Sequence, residues 1–402
     1  LLQSIELTFE NCIFRHNICD GYYGGACKFE TNKPVSIISC IFDNNTAAMN
    51  SETESSGGAI FIGETVKSIL INDCNFSNCF AHQGSFIFTN GSIKDISISR
   101  NLFSTLLENQ DNSICIEIDS QIDQFIFDSN TFYELKCISQ YGGSGLHIIN
   151  NAQCEISKCK FINCIGNGEE SGMIRIPEES NSNSHLIFTL CEFNNEHYTS
   201  ARAISIVSNS LVKFDACKFL SYDVPTLNGA VVFSRSTSSA VFSNCTFLGL
   251  KGKSLMEILE AESIEIYDCQ FSSCIVGESL IETVKVNNFN VSNCTFSNDN
   301  DAIRLGDFVA NGMIYNNSCT SKNSVIYIIG SALECNIFEN NFTECQSNYD
   351  GLAIYIYAGN LINIHNCRFI DNYNRDTDYY TIYSRANNLN FCDSIIEYSD
   401  DI

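Results

Sequence analysis

The sequence predicts an all-β fold, a right-handed parallel β-helix, from three observations. A ladder of apolar residues ending in Cys-x-Phe or Asn-x-Phe recurs from one end of the chain to the other. Its mean period is about 27 residues, and a further apolar segment follows the ladder in nearly every unit. A repeat of that length marks stacked turns of a solenoid, in which each unit contacts only its neighbours.

The ladder opens as Leu7-Thr-Phe-Glu-Asn-Cys12-Ile-Phe14. It returns with Cys at Cys40, Cys74, Cys159, Cys191, Cys217, Cys245, Cys269, Cys294 and Cys367, and with Asn at Asn101, Asn130 and Asn340. Ile314 to Cys319 and Leu389 to Ile396 are degenerate copies. The last ladder position then falls at 14, 42, 76, 103, 132, 161, 193, 219, 247, 271, 296, 319, 342, 369 and 396, which makes fifteen copies 23 to 34 residues apart.

Each unit divides into three strands. Alternation before the Cys is the period of a strand with one buried face, the two-residue gap is a corner, and Cys-x-Phe opens a second short strand. The third is seen in Gly58-Ala-Ile60-Phe-Ile62, Gly172-Met-Ile174-Arg-Ile176 and Leu352-Ala-Ile354-Tyr-Ile356. Equivalent strands pair one turn apart, about 4.8 Å along the axis, so fifteen turns form a rod on the order of 70 Å. The right hand follows from the rule for parallel crossovers. No Leu-x-x-Leu-x-Leu consensus competes, and only Ser254 to Ala261 has helical spacing.

The 402 residues carry a net charge of −25, with 44% hydrophobic residues and three Pro. Continuous repeats make 1–402 a single β-helix domain, and its uncapped ends suggest a segment of a longer chain with both caps missing. So acidic a chain excludes nucleic acid and anionic membrane as partners and leaves basic groups or divalent cations, although solubility alone accounts for the charge. No apolar run inserts this segment into a membrane.

Ten of the 22 Cys occupy one ladder position that Asn fills in other turns. In-register neighbours lie too far apart for good disulfides, so ladder Cys are expected to be buried free thiols. Five residues beyond the ladder, Cys79, Cys164, Cys274 and Cys345 stand where Asn17, Asn45 and Asn372 stand elsewhere, as in an Asn ladder that tolerates Cys. Cys74 with Cys79, Cys159 with Cys164, and Cys269 with Cys274 are the pairs that could close across a corner. No Cys-x-x-Cys or His/Cys cluster has zinc spacing, so neither metal nor cofactor is expected. Asn-x-Ser/Thr triads at Asn44, Asn75, Asn90, Asn244, Asn290, Asn293, Asn316 and Asn341 are candidate N-glycosylation sites and favour secretion.

Phe14-Arg-His-Asn17 with Gly24-Gly25-Ala26, and Phe42-Asp-Asn-Asn45 with Gly57-Gly58-Ala59-Ile60, resemble the paired Phe-x-x-Asn and Gly-Gly-Ala-Ile tetrapeptides of the chlamydial polymorphic membrane proteins. Similar proteins occur on trichomonad surfaces. The resemblance implies a surface-displayed β-helix passenger engaged in adhesion.

β-Helices also host pectate lyases, polygalacturonases and tailspike glycosidases, whose sites need paired acids about 5 to 10 Å apart, or Asp-bound calcium beside a basic residue. Asn-Thr-Asp, Gly-His-Gly and Arg-Ile-Lys motifs are absent, and the six His are scattered. His147 and His365 fall at outward strand positions and read as surface residues. Acidic connections with Glu52 and Glu54, with Glu169 and Glu170, and with Glu178 and Glu179 read as solvated loops. Tyr373, Arg375, Asp376, Asp378, Tyr379 and Tyr380 share one connection, and Tyr355 points outward in the neighbouring turn. Exposed Tyr beside Arg and Asp suits a glycan or protein contact.

The sequence thus predicts a non-catalytic extracellular or cell-surface protein for display, adhesion or partner contact. A filament or coat subunit stacking end to end is the alternative, and a polysaccharide lyase or hydrolase a further one.

Overall fold

The computed structural model describes residues 6–47, 55–104, 114–137, 143–149, 152–166, 172–176, 185–196, 202–207, 210–224, 231–235, 239–298, 301–306, 308–321, 325–330, 332–345, 352–372 and 380–397. They form two compact units, Leu1–Val212 and Lys213–Ile402. Both are parallel β-solenoids built on the expected three strands per turn, and no helix occurs among the described residues. Among the described residues no helix is long and apolar enough to cross a membrane. Ser254 to Ala261, given helical spacing above, lies inside the strand Lys251–Tyr267, because pairing on both sides overrides local periodicity.

In the first unit Val35–Ile38, Ile41–Asp43 and Ile60–Ile62 are the three strands of one turn. Elsewhere the third strand of a turn runs into the first strand of the next, as in Ile87–Ser99 and Ile275–Ser292. Equivalent residues pair without shift along the ladder. Phe42 pairs with Phe76, Phe76 with Phe103, and Phe132 with Phe161; in the second unit Phe219 pairs with Phe247 and Phe247 with Phe271. Their rings stack nearly parallel inside the solenoid, with centroids 4.8 Å apart for Phe42–Phe76 and 4.4 Å for Phe247–Phe271.

The corner explains why Cys and Asn exchange. Before each ladder residue stands one in the left-handed region, among them Ser39 (φ 53°), Asp73 (φ 54°), Lys158 (φ 53°) and Leu190 (φ 57°). Leu and Lys gain nothing there locally, so the closure of the turn imposes the conformation. It turns the ladder residue's N–H along the axis, out of the strand ladder. That N–H donates instead to the side chain of the equivalent residue one turn on: Cys40 N to Cys74 Sγ at 3.4 Å, Cys74 N to Asn101 Oδ1 at 2.8 Å, and Asn101 N to Asn130 Oδ1 at 3.0 Å. Cys367 N reaches Ser394 Oγ at 3.1 Å. The same side chains donate back, Asn130 Nδ2 to Ile98 O at 2.8 Å and Cys74 Sγ to Ile37 O at 3.6 Å. The position therefore requires a small side chain that both accepts and donates, since a buried orphan N–H costs about 1–3 kcal/mol.

The second corner repeats the device. Asn17 Nδ2 donates to Asn45 Oδ1 at 2.7 Å, Asn45 Nδ2 to Cys79 Sγ at 3.7 Å, and Cys345 N to Asn372 Oδ1 at 2.7 Å. Both tetrapeptides of the noted resemblance thus have structural work: the Asn is this rung, and a Cβ on Gly58 would lie 2.2 Å from Ser85 O of the next turn.

The ladder thiols are free and buried as expected, apart from the half-buried Cys12. The three cross-corner pairs are not bonded in this structure. Cys74, Cys79, Cys159, Cys164, Cys269 and Cys274 are all free, and each sulfur donates to the carbonyl two residues before it. The number of closed turns also falls below the fifteen motif copies. Leu389, Phe391 and Ile396 of the last copy are exposed instead of lining a core, as is Leu7 of the first, because each of these copies has a partner turn on one side only.

Candidate functional site

The third strand reads inward, outward, inward, so each turn presents one central side chain on the outer face of that sheet. In the second unit these residues are in register over six turns: Glu257 pairs with Glu282, Glu282 with Arg304, Arg304 with Tyr327, Tyr327 with Tyr355, and Tyr355 with Tyr383. All are half-buried. A stripe one residue wide therefore runs along the sheet, acidic at one end and phenolic at the other.

The acidic end is an ion-pair network. Glu278 accepts from Arg304 Nη1 at 2.8 Å and from Lys253 Nζ at 3.0 Å, and Arg304 Nε lies 3.9 Å from Glu282. Burial pushes the Glu282 carboxyl up; Arg304 opposes the shift, while Glu278 and Glu257 add to it. At the phenolic end Tyr327 and Tyr355 stack at 4.7 Å, and Tyr355 and Tyr383 at 5.0 Å. The guanidinium of Arg304 lies 5.9 Å from the Tyr327 ring, and that of Arg385 lies 5.5 Å from Tyr383 and 5.3 Å from Tyr357. The ring faces are thus covered by one another and by guanidinium groups. Stacking of a ligand on these rings is thereby blocked, so the stripe offers a chemistry of hydrogen bonding more than of ring stacking.

Tyr355 lies in the middle of this stripe. Tyr380, 65% exposed, leads into the strand Ile382–Ser384 that carries Tyr383. Tyr373, Arg375, Asp376, Asp378 and Tyr379 lie outside the described residues, as do Glu52, Glu54, Glu169, Glu170, Glu178 and Glu179. No family model, curated protein or solved structure matches the chain. The stripe was nonetheless legible by aligning the central residue of every third strand, which the reading of Tyr355 alone did not do. No group of three or more His, Cys, Asp and Glu suited to a metal occurs among the described residues.

The same column in the first unit is closed. Phe61 pairs with Phe88, Phe88 with Glu117, Glu117 with His147, and His147 with Arg175. Glu117 is 2% exposed and His147 and Arg175 are each 6% exposed, so His147 is not the surface residue its outward position suggests. His365 remains half-buried. Arg175 Nη1 lies 3.4 Å from His147 Nε2. Burial, with Arg175 adding to it, pushes His147 down to about 3. Burial and then the charge of Asp119 push Glu117 up to about 8, opposed by a backbone hydrogen bond from Gly84. Each group is therefore neutral near pH 7. Glu117 Oε2 and His147 Nδ1 have no hydrogen-bond partner among the described residues.

Of the triads, Asn75, Asn244, Asn293 and Asn316 are exposed, while Asn44, Asn90, Asn290 and Asn341 are half-buried. The side-chain oxygen of Asn290 is buried with no hydrogen-bond partner among the described residues.

Proposed function

We propose that this chain is a non-catalytic β-helix of an extracellular or cell-surface protein that engages a glycan or protein partner through the outer stripe of the second unit. The observation that carries the proposal is the in-register column from Glu282 through Arg304 and Tyr327 to Tyr355 and Tyr383. Five turns place charged groups and phenols on one open face at a spacing set by the backbone, and a rigid sheet holds them without further ordering cost.

The positions of the triads support the same face. In the second unit Asn244, Asn290, Asn293, Asn316 and Asn341 all belong to first strands, first corners and second strands. The third-strand column carries none, so glycans on the other sheets leave it open. The likeness of the opening tetrapeptides to chlamydial polymorphic membrane proteins and trichomonad surface proteins points to adhesion, with the partner lying on another surface.

Binding of the purified chain to a glycan array and to intact cells tests the proposal. The double variant Tyr327→Ala/Tyr355→Ala is expected to keep the β circular dichroism signal and to lose binding. Equal binding by wild type and variant, or no binding by wild type, would overturn it.

A further inference from the structure

Arg385 differs from Arg304 and Lys253 at the acidic end of the stripe and from several other cations of the second unit. Lys253 and Arg304 lie against Glu278, and Lys251, Lys285 and Arg368 lie within 3.4 Å of Asp223, Glu260 and Glu397. Arg385 has no ion pair among the described residues, in a chain whose net charge is −25. Its guanidinium is nevertheless held in place. Nε donates to the hydroxyl of Tyr383, and the group lies over both Tyr357 and Tyr383. The backbone is fixed as well, Arg385 N donating to Ile356 O at 2.8 Å.

With Nε engaged, the two terminal nitrogens of the fork remain for a ligand. A planar fork offers two parallel N–H donors to a carboxylate, and stacking on two rings removes much of the ordering cost of an exposed arginine. The single guanidinium matches one negative charge, whereas a phosphate dianion calls for further donors or a second cation. The exposed phenol of Tyr357 alongside suits the hydroxyls of a sugar.

The geometry points to Arg385 as the carboxylate subsite of the stripe, so that the ligand is a glycan bearing uronate-type acidic sugars. This inference rests on the stripe being a binding face and adds its specificity. The long-range field of the chain repels polyanions, but it is screened beyond about 8 Å at physiological salt, so the local fork decides recognition.

Calorimetric titration of the intact chain with three hexasaccharides tests it: a uronate oligomer, the same oligomer after carboxyl reduction, and a neutral oligomer bearing sulfate esters. Wild type is expected to bind the uronate oligomer about 10- to 100-fold more tightly than the reduced one, the range for a charge-assisted contact. Arg385→Gln should lose that margin and leave the weaker affinity for the reduced oligomer unchanged, while Arg385→Lys keeps part of it. If Arg385→Gln binds all three as wild type does, or if the sulfated oligomer binds as tightly as the uronate, the carboxylate subsite is wrong. If the reduced oligomer binds and Tyr327→Ala abolishes that binding, the stripe stands whatever Arg385 does. If none of the three binds to wild type, the uronate subsite is wrong, and the stripe itself stands or falls on the array and cell-binding result.

Discussion

Glu117→Gln should make the protein more stable at pH 8 and leave it unchanged at pH 4. In the fold Glu117 is 2% exposed, between Phe88 and His147 in the third-strand column of the first unit, and its carboxyl is pushed from 4.5 up to about 8, chiefly by burial. The folded state therefore holds a proton that the unfolded chain releases. The stability this contributes is complete below pH 4.5 and is lost as pH rises from 4.5 toward 8. At 1.36 kcal/mol per pH unit the interval sets an upper limit of about 5 kcal/mol, and relaxation of the site leaves roughly 2–4 kcal/mol. Glutamine keeps the shape and cannot ionise. Thermal unfolding followed from pH 4 to 8.5 should show wild type falling progressively below the variant, by about 4 to 16 °C at pH 8 for a unit of this size. His147 has the opposite sign. It is pushed down to about 3, so its contribution is present above pH 6.5 and lost as pH falls toward 3. The acid limb should thus survive in Glu117→Gln and weaken in His147→Asn. Parallel pH profiles for wild type and Glu117→Gln over the whole range would refute the assignment of a buried, neutral Glu117.

Four further outcomes are expected. Asn130→Leu strands the Asn101 N–H and the Ile98 carbonyl and should cost roughly 2–5 kcal/mol in urea unfolding, whereas Asn130→Cys, which restores an acceptor and a donor, should cost less than half as much. Gly249 (φ 66°) has open space around its Cβ position and keeps only the strain of the left-handed backbone, which Asn tolerates best, so Gly249→Asn should cost no more than about 1 kcal/mol, while Gly58→Ala, blocked by Ser85 O, should destabilise by about 1–3 kcal/mol; thermal melts of both decide it. Dithionitrobenzoate on native protein should react first with the exposed Cys392 and the half-buried Cys12 and Cys19, and only after unfolding with Cys74, Cys79 and Cys164, which burial pushes up to about 12; a native thiol count near the denatured one would contradict the buried ladder. Asn316 Nδ2 donates to Asn293 Oδ1 at 2.7 Å on the adjacent turn, so glycopeptide mass spectrometry after expression in glycosylating cells should find at most one of the two modified per molecule.

The sequence by itself determined the repeat, the three strands of each turn and the residues that line the core. In-register stacking forces like residues onto like, so periodicity in one dimension becomes adjacency in three, and Phe42, Phe76 and Phe103 could be placed together by spacing alone. The exchange of Cys with Asn was equally visible, but its reason was not. Only the corner geometry reveals that Cys74 and Asn101 answer the same orphan N–H one turn earlier, a requirement for an acceptor that no hydropathy pattern expresses. Tertiary structure also decided what the outward positions became. His147 and Tyr355 occupy equivalent third-strand positions, yet one is closed off and neutral while the other stands in an open row of phenols between two guanidinium groups. Alternation fixes which way a side chain points; what it meets there depends on the turns above and below and on chain distant in sequence. For that reason Glu117, Arg304 and Arg385 acquire their chemistry only in the folded protein.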